Sequence, residues 1–253
     1  MEWARRREWT VIAVLTAFIL AVLCIIGFAI FYHTPTCTDT KQDGDETGID
    51  CGGSCSTVCS ATAAPAHARF ARALSQSGRQ DLIAYIDNPN KDAYADNARI
   101  TIDIYQQDGH MLEKHALLTL PANSSTPLFI PGIANAALQQ VFVSFDKGEP
   151  VWTKGTGWDA PPPKSSNIVV VDGGQPRVTA TITNQTAYVE NNVPLVAAVF
   201  ADDGSVIAAS QTVVATLPPQ GSAQAVFTWN EPFSAPYARV EVTPLVALPT
   251  LVP

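Results

Sequence analysis

The sequence predicts a mainly β protein, with an N-terminal single transmembrane helix followed by two tandem antiparallel β-sandwiches. Three observations lead to this prediction. An uncharged apolar run lies near the N-terminus, apolar and polar residues alternate along many short segments downstream, and similar segments recur after about 96 residues. The first observation predicts a membrane span, the second predicts half-buried strands, and the third predicts a duplicated domain.

The apolar run covers residues 11–32 and contains no charged residue. As a helix it would be about 33 Å long at ~1.5 Å per residue, enough to cross a hydrocarbon layer of about 30 Å. A buried core helix is the alternative, but such helices are usually amphipathic, whereas this run is apolar on every face. We therefore predict a transmembrane segment that contacts the membrane through residues 11–32.

The charges that flank this segment predict its orientation. Arg5, Arg6 and Arg7 precede it, and the next basic residue is Lys41. The positive-inside rule then assigns residues 1–10 to a cytoplasmic tail and residues 33–253 to the extracytoplasmic side. A cleaved signal peptide would have a shorter apolar region of about 7–15 residues, so we expect an uncleaved signal anchor in the cell membrane.

The predicted extracytoplasmic part is acidic. It holds 21 acidic and 12 basic residues, a formal charge of −9. Because no basic patch is present, we expect no nucleic-acid partner.

Four of the five cysteines lie close together in the predicted module and linker of residues 33–66, at Cys37, Cys51, Cys55 and Cys59. In an oxidising compartment, four such cysteines most simply form two disulfides. Their spacing lacks the C-x2-C pairs that are typical of structural zinc and ferredoxin-type clusters. All three connectivities remain open, and Cys24 is expected to stay free in the bilayer.

Acidic residues within the cysteine cluster raise a second question. Asp43, Asp45 and Thr47 match early positions of a calcium loop, and Gly48 stands where that loop turns sharply. The final bidentate carboxylate is missing, and Asp50 could replace it only with a different geometry. Two interpretations stay open: a calcium site at Asp43, Asp45, Thr47 and Asp50, or a solvated acidic turn held by disulfides. No other cofactor is expected.

The same stretch carries a resemblance to known proteins. Residues 37–59, CTDTKQDGDETGIDCGGSCSTVC, resemble a DCGG-type cysteine module of many exported bacterial proteins. The resemblance implies an extracellular setting and a disulfide-stapled spacer near the membrane, and it implies no activity.

Two stretches downstream are alike. Residue pairs correspond at offsets of 95 to 97, and these pairs are Ile86 with Ile182, Asn88 with Asn184, Asp108-Gly109 with Asp203-Gly204, and Leu120-Pro121 with Leu217-Pro218. The nearly constant offset predicts a duplicated domain, with the first copy at residues 67–154, a Pro-rich linker at 155–166 and the second copy at 167–253.

Each copy has the pattern of antiparallel strands. Ile100, Ile102 and Ile104 alternate with polar residues, as do Ala225 and Phe227 in the second copy. The two Asp-Gly pairs predict tight hairpins in which both central residues have positive φ. About seven short strands per copy indicate an immunoglobulin-like or fibronectin-III-like sandwich.

The second copy resembles the FxLYD-type sandwich domain of bacterial surface proteins. The shared residues are "ATITN", the "VFADDG" hairpin and "LPPQGSAQAVF", and the first copy is a looser version. Phe200-Ala201-Asp202 departs from the family's usual pattern. The resemblance implies the sandwich fold and says almost nothing about function.

Two tryptophans lie in or beside the linker, Trp152 and Trp158. Each could anchor a partner, or each could pack on a neighbouring sandwich, which is the more common fate of linker aromatics.

Two function classes follow from the whole sequence. It shows no nucleophile elbow, no P-loop and no H-E-x-x-H motif, so we expect no enzyme. The first class is a membrane-anchored extracytoplasmic binding or structural protein of the envelope, with an adhesion, scaffold or assembly role, whose partner is another envelope protein or a glycan. The alternative class is an accessory subunit of a membrane-associated envelope enzyme or secretion complex.

Overall fold

The computed structural model describes residues 2–31, 36–76, 78–134 and 136–252. Contacts divide the chain into two compact units, residues 1–59 and residues 60–253. The first unit contains one helix and the cysteine module. The second unit contains all the strands, and strands make up 51% of the structure. The predicted mainly β fold with one N-terminal apolar helix is confirmed.

Helix α1 spans Glu2–Phe31. Its segment Trp9–Ile30 is long and apolar enough to cross a membrane, and none of it is buried within the protein. The hydroxyl of Thr16 donates to the Ile12 carbonyl at 2.8 Å, so the helix itself satisfies this polar group. The helix begins before the predicted apolar run of residues 11–32, because the charged residues ahead of the run continue the same helix. The end of that run, Tyr32, lies outside the described residues.

The second unit is built from fourteen strands among the described residues. Their bounds are β1 His67–Gln76, β2 Arg79–Asn88, β3 Ala93–Gln106, β4 Met111–Leu120, β5 Ser124–Ala134, β6 Leu138–Phe145, β7 Thr153–Lys154, β8 Lys164–Val171, β9 Arg177–Thr183, β10 Glu190–Phe200, β11 Val206–Leu217, β12 Ser222–Thr228, β13 Arg239–Pro244 and β14 Thr250–Val252.

These strands form four sheets, all with antiparallel pairing. The first half of the unit has the orders β1-β2-β5 and β14-β4-β3-β6, and the second half has β8-β9-β12 and β11-β10-β13. β7 also pairs with β3. If β7 and β14 are set aside, β1 to β6 are connected in the same way as β8 to β13. Each half is therefore a β-sandwich made from two three-stranded sheets.

Buried asparagines occupy the same place in both halves. Asn88 Nδ2 lies 3.3 Å from the carbonyl of Leu120, and Asn184 Nδ2 lies 3.4 Å from that of Leu217. Each asparagine also accepts a backbone N–H two residues further on, from Asn90 and from Thr186. The residue pairs matched in the sequence therefore make matching contacts.

The alternating residues face the sandwich cores, as predicted. Ile100, Ile102 and Ile104 are fully buried, and Ala225 and Phe227 are 1% exposed. In the second half these last two residues pack with Val178, Ala180 and Ile182 of β9 and with Leu195, Ala197 and Val199 of β10.

A further core joins the two sandwiches. Ile83, Tyr85 and Phe129 of the sheet β1-β2-β5 pack against Val196, Ala198 and Phe200 of β10. Strands β2 and β10 are thus buried on both faces, which is why LIAYI and VPLVAAVF are continuous apolar runs instead of alternating ones. The second unit is therefore a stack of four sheets, in which β1-β2-β5 and β11-β10-β13 are the two inner sheets.

The hairpins at the Asp-Gly pairs form, but not with the predicted turn. Gly109 and Gly204 have φ of +87° and +80°, whereas the preceding aspartates keep negative φ. Gln106 N–H bonds His110 O at 2.8 Å, and Ala201 N–H bonds Ser205 O at 2.9 Å. This is a three-residue loop whose single left-handed position is the glycine. The prediction of positive φ at both central residues was wrong. In a loop of three residues, only the glycine adopts the left-handed conformation, and the aspartate does not need it.

Strand pairing crosses the boundaries expected from the sequence. β8 begins at Lys164, inside the predicted linker of residues 155–166, whereas β7 pairs with the start of β3 within the predicted first copy. β14 lies in the predicted second copy, yet it pairs with residues 115–117 of β4 in the first sandwich.

Candidate functional site

The cysteine module is held by two interleaved disulfides, Cys37–Cys55 and Cys51–Cys59, with Cα–Cα distances of 5.6 and 5.0 Å. Cys24 is free and exposed on α1. Gly52 and Gly53 follow the second cysteine with φ of +77° and +51°, and a side chain at Gly53 would collide with the backbone carbonyl of Asp45. The D-C-G-G stretch therefore has a steric reason for both glycines.

The acidic side chains of the module bind parts of the module itself. Asp50 accepts the backbone N–H groups of Asp39 and Thr40 at 2.9 Å each. Asp43 accepts the N–H of Thr36 at 3.2 Å, and Asp45 accepts the hydroxyl of Ser54 at 2.8 Å. Thr47 Oγ1 lies 3.5 Å from Cys59 Sγ. The four residues of the calcium hypothesis thus have separate structural partners.

Among the described residues, the ligand-type side chains that converge within 4.8 Å of one another are Cys37, Glu46 and Cys55. Both cysteines are in a disulfide, so neither offers a thiolate to a metal ion. Glu46 is 7% exposed, and its Oε1 lies 3.1 Å from Cys55 Sγ. None of Asp43, Asp45 and Asp50 belongs to this group.

The two tryptophans differ in exposure. Trp152 is 3% exposed, and this burial favours the packing alternative for its side chain over partner anchoring. Trp158 is half-buried and lines a cleft of about 820 Å³. Of the two candidate anchors, Trp158 is the one that a ligand can reach.

The cleft is walled by three separate parts of the second unit. The linker supplies Gly155 to Pro161 and Pro163, the first sandwich supplies Tyr94, Asp96 and Thr119, and the second sandwich supplies residues 190–194 with Leu245 and Val246. Its polar groups include three carboxylates, two asparagine amides and two threonine hydroxyls, with the aromatic rings of Tyr94 and Trp158 beside them. Aromatic faces with a few converging polar groups are typical of ligand sites.

Glu190 is the carboxylate of this cleft with an unusual environment. Its Oε1 is shielded from solvent and accepts no hydrogen bond from any described residue. Burial raises the pKa of Glu190 above its ordinary value, because the charged form loses hydration. By contrast, Asp96 accepts the Thr119 hydroxyl at 2.9 Å.

A second cavity, of about 850 Å³, lies elsewhere between the sandwiches and is lined by Trp229, Phe233, Gln76 and Arg79 among others. The ring of Trp229 packs edge-on against Phe233 at 5.3 Å, and its Nε1 donates to the Ala209 carbonyl at 3.2 Å. The fully buried Asp81 accepts Arg79 Nε at 2.6 Å and the Gly132 N–H at 2.7 Å. The Gly132 bond ties β2 to β5, whereas the ion pair lies within β2 and its Arg79 side chain is 56% exposed.

A polar network lies on the outer face of the first sandwich. Asp146 accepts the hydroxyl of Thr101 and the Nε of Arg99, the latter at 2.8 Å, and lies 3.6 Å from His115 Nδ1. The Thr101 hydroxyl is the main cause that lowers the pKa of Asp146. The Thr101 hydroxyl also lies 3.3 Å from His115 Nδ1, so the hydroxyl, the imidazole and the carboxylate belong to one network.

Sequence reasoning missed Tyr94, Asp96 and Glu190 as cleft residues. They lie on β3 and β10, far apart in the chain, so no local spacing or motif connects them. The one available signal was the E-N-N triplet at residues 190–192, which places three polar residues directly before the apolar run VPLVAAVF.

The chain matches no family model, and no curated protein matches it. Among solved structures, it is similar to the crystal structure of red sea bream transglutaminase at 13% identity, with a TM-score of 0.24. That match covers 75% of this chain and 31% of the transglutaminase chain. A TM-score of this size supports no conclusion about function.

Proposed function

We propose that this chain is a membrane-anchored binding protein of the cell envelope, whose β-sandwich unit presents a ligand-binding surface outside the membrane. The observation that carries the proposal is the cleft of about 820 Å³ beside Trp158. It lies on a scaffold whose inter-sheet cores are built from buried apolar side chains. A rigid β scaffold that positions polar and aromatic groups at its loops is a common design for recognition.

The placement outside the membrane is supported by the sequence. The arginines ahead of α1 favour a cytoplasmic N-terminus. The two disulfides suit an oxidising compartment, and the DCGG-type resemblance implies the same setting. In this proposal the cysteine module is a stapled spacer between the anchor and the sandwiches. The FxLYD-type resemblance and the matched halves fit a duplicated surface domain.

Protease treatment of intact cells or spheroplasts tests the orientation. The proposal expects residues 33–253 to be digested while the N-terminal tail is protected. Protection of the sandwich unit would contradict it.

Site-specific photo-crosslinking in cells tests the binding role. A photoreactive residue at position 158 is expected to capture a partner, and the same residue at the exposed Val226 on β12 is the matched control. Equal capture from both positions, or from neither, would contradict a binding cleft at Trp158. Stoichiometric capture of an envelope enzyme or secretion component would favour the accessory-subunit alternative.

A further inference from the structure

The cleft beside Trp158 has a preorganised wall. β7 pairs with Ala93 and Tyr94, the Gly155 N–H bonds the Asp92 carbonyl at 2.9 Å, and the Ala122 N–H bonds the Thr156 carbonyl at 2.9 Å. The Trp158 N–H in turn lies 3.3 Å from the hydroxyl of Thr156. The linker segment that carries Trp158 is therefore fixed to the first sandwich, and a ligand need not order it.

Tyr94 lies directly against this segment. Gly155 and Gly157 have φ of +128° and +79°, and a side chain at Gly157 would come within 2.9 Å of Tyr94 Cβ. Glycine at position 157 thus lets the tyrosine pack closely on the linker backbone. The two aromatic residues of the cleft, Tyr94 and Trp158, are consequently held by the same short segment.

The charge of the cleft has one sign. Asp96, Asp159 and Glu190 line it, and no Lys, Arg or His among the described residues does so. Lys154 and Lys164 lie on either side of the linker segment, outside the lining. The Thr119 hydroxyl binds Asp96, but the shielded Oε1 of Glu190 has no donor among the described residues.

Three carboxylates that line one cleft with no basic side chain among its lining residues are best matched by a cation with N–H groups. A guanidinium or ammonium group compensates the charge and supplies the hydrogen bond together. The same groups bind favourably over the faces of Trp and Tyr rings. A neutral sugar could donate a hydroxyl to Glu190 but would leave the charge of three carboxylates uncompensated, and an anion would be repelled.

We infer that this cleft binds an arginine or lysine side chain presented by a partner polypeptide, with Glu190 as its ion-pair partner and Trp158 beside it. This inference rests on the proposed binding function and specifies the chemistry of its ligand. The anionic cleft would thus recognise a basic segment of the partner. Asp96 and Asp159 would attract this basic segment at longer range.

The test uses the full chain in nanodiscs of zwitterionic phosphatidylcholine, titrated by calorimetry with a capped tri-arginine peptide. The matched probe is tri-citrulline, which keeps the shape of arginine without its charge. Tri-arginine is expected to bind and tri-citrulline is not, and the tri-arginine affinity should fall as salt is raised.

Variants locate the binding. Glu190→Gln is expected to weaken tri-arginine binding by about tenfold or more, because the ion pair is lost while the side-chain shape is kept. Asp103→Asn removes one carboxylate from the outer face of β3, outside the cleft, and is expected to change the affinity less than about twofold. A thermal melt of each variant checks that it is folded.

Absence of tri-arginine binding, equal binding of tri-citrulline, or equal effects of the two variants would each overturn the inference. Binding of a neutral oligosaccharide that Glu190→Gln abolishes, without binding of tri-arginine, would also overturn it. The binding function itself would then still stand, because crosslinking from position 158 measures a partner whatever its charge.

Discussion

Glu190 illustrates how a single side chain can lower the stability of the fold that it serves. Its pKa is raised by burial, so the folded state holds this proton more tightly than the unfolded chain does. Linkage then makes the folded state lose stability as the pH rises from the unfolded-state pKa, about 4.3, through the raised folded-state pKa. At neutral pH the charged group therefore opposes folding.

We expect Glu190→Gln to increase the free energy of unfolding at pH 7, because the amide carries no charge to desolvate. The gain should shrink as the pH falls below about 4, where the glutamate is protonated in both states. Thermal melts of the parent protein and of Glu190→Gln across this pH range measure the gain in stability. A gain that is independent of pH, or a loss at pH 7, would show that desolvation of the carboxylate is not the cause.

The buried asparagines have the opposite effect on stability. Asn88 Nδ2 lies within 3.3 Å of the carbonyls of Ala93, Leu120 and Pro121, so one side chain joins β2 to the ends of two other strands. Truncation leaves these buried carbonyls without a donor, which costs more than the bond itself contributes.

We expect Asn88→Ala to reduce the free energy of unfolding by about 1–3 kcal/mol. The exposed Gln140→Ala on β6 is the control and should stay within about 0.5 kcal/mol of the parent protein. Guanidinium unfolding of the full chain gives both values. Equal changes in the two variants would mean that the asparagine bonds contribute nothing beyond a surface substitution.

At the scale of elements, β14 completes a sheet that begins far away in the chain. Its residues 250–252 pair with residues 115–117 of β4, and Leu251 is 42% exposed. A strand of three residues with little burial is held mainly by its backbone hydrogen bonds. The edge of β4 is thus covered by a short strand that can open locally.

Removal of residues 248–253 should increase the hydrogen-exchange rates of backbone amides in residues 115–117. Amides of β6 that pair with β3 at the other side of the same sheet serve as the internal control and should keep their protection. Mass spectrometry with peptide-level resolution measures both regions. Unchanged exchange at 115–117 would show that β14 does not protect β4 in solution.

The sequence predicted the outer strands better than the inner ones. The alternation in β3 and β9 indicates one buried face, and those strands are outer-sheet strands whose other face is polar. The continuous apolar runs in β2 and β10 indicated strands, but not that the second face of each is covered by the other sandwich. The hairpins were predicted at the correct residues, whereas the turn type depended on one extra loop residue.

The functional residues were less predictable than the fold. Four cysteines allow three connectivities, and no pattern in the sequence selects the observed pairing of Cys37 with Cys55 and Cys51 with Cys59. Trp158 was noticed because an aromatic residue in a linker is conspicuous, and its role in binding stays a prediction. Glu190 was not noticed, because an acidic residue at the start of a strand is common, and only the fold brings the first sandwich and the linker around it.

At the scale of the whole molecule, corresponding positions in the two sandwiches differ according to what covers them. Asp103 pairs with Glu113 and Phe142, and Ala198 pairs with Ala209 and Glu241 at the matching place of the second sandwich. Ala198 is fully buried against the first sandwich, whereas Asp103 lies on an outer face.

Introducing a charge at the inner position should therefore disrupt the stack. We expect Ala198→Asp to destabilise the unit by roughly 3 kcal/mol or more, since it buries an unpaired carboxylate. Asp103→Ala, the reverse change at the matching outer position, should alter stability by less than about 0.5 kcal/mol. Denaturant unfolding of the parent protein and of the two variants measures both changes in the free energy of unfolding. Similar effects at both positions would contradict the four-sheet arrangement.

A polar bridge accompanies the apolar contact between the sandwiches. The Tyr85 hydroxyl donates to Glu241 Oε2 at 3.2 Å, Arg239 Nε donates to Glu241 Oε1 at 3.1 Å, and the Arg239 guanidinium lies 3.9 Å over the Phe200 ring. Burial is the main cause that raises the pKa of Tyr85, so its hydroxyl stays protonated as a donor.

The return of β14 to the first sandwich also determines the order in which the chain can fold during synthesis. The ribosome releases β1 to β6 first, but the edge of β4 remains uncovered until residues 250–252 emerge. Over the same period the apolar face of Ile83, Tyr85 and Phe129 has no partner, since β10 has yet to be made. An open strand edge and an apolar face are the features through which partly folded chains aggregate or recruit chaperones. The nascent first sandwich is therefore the species most in need of protection, and translation of the second sandwich ends that need.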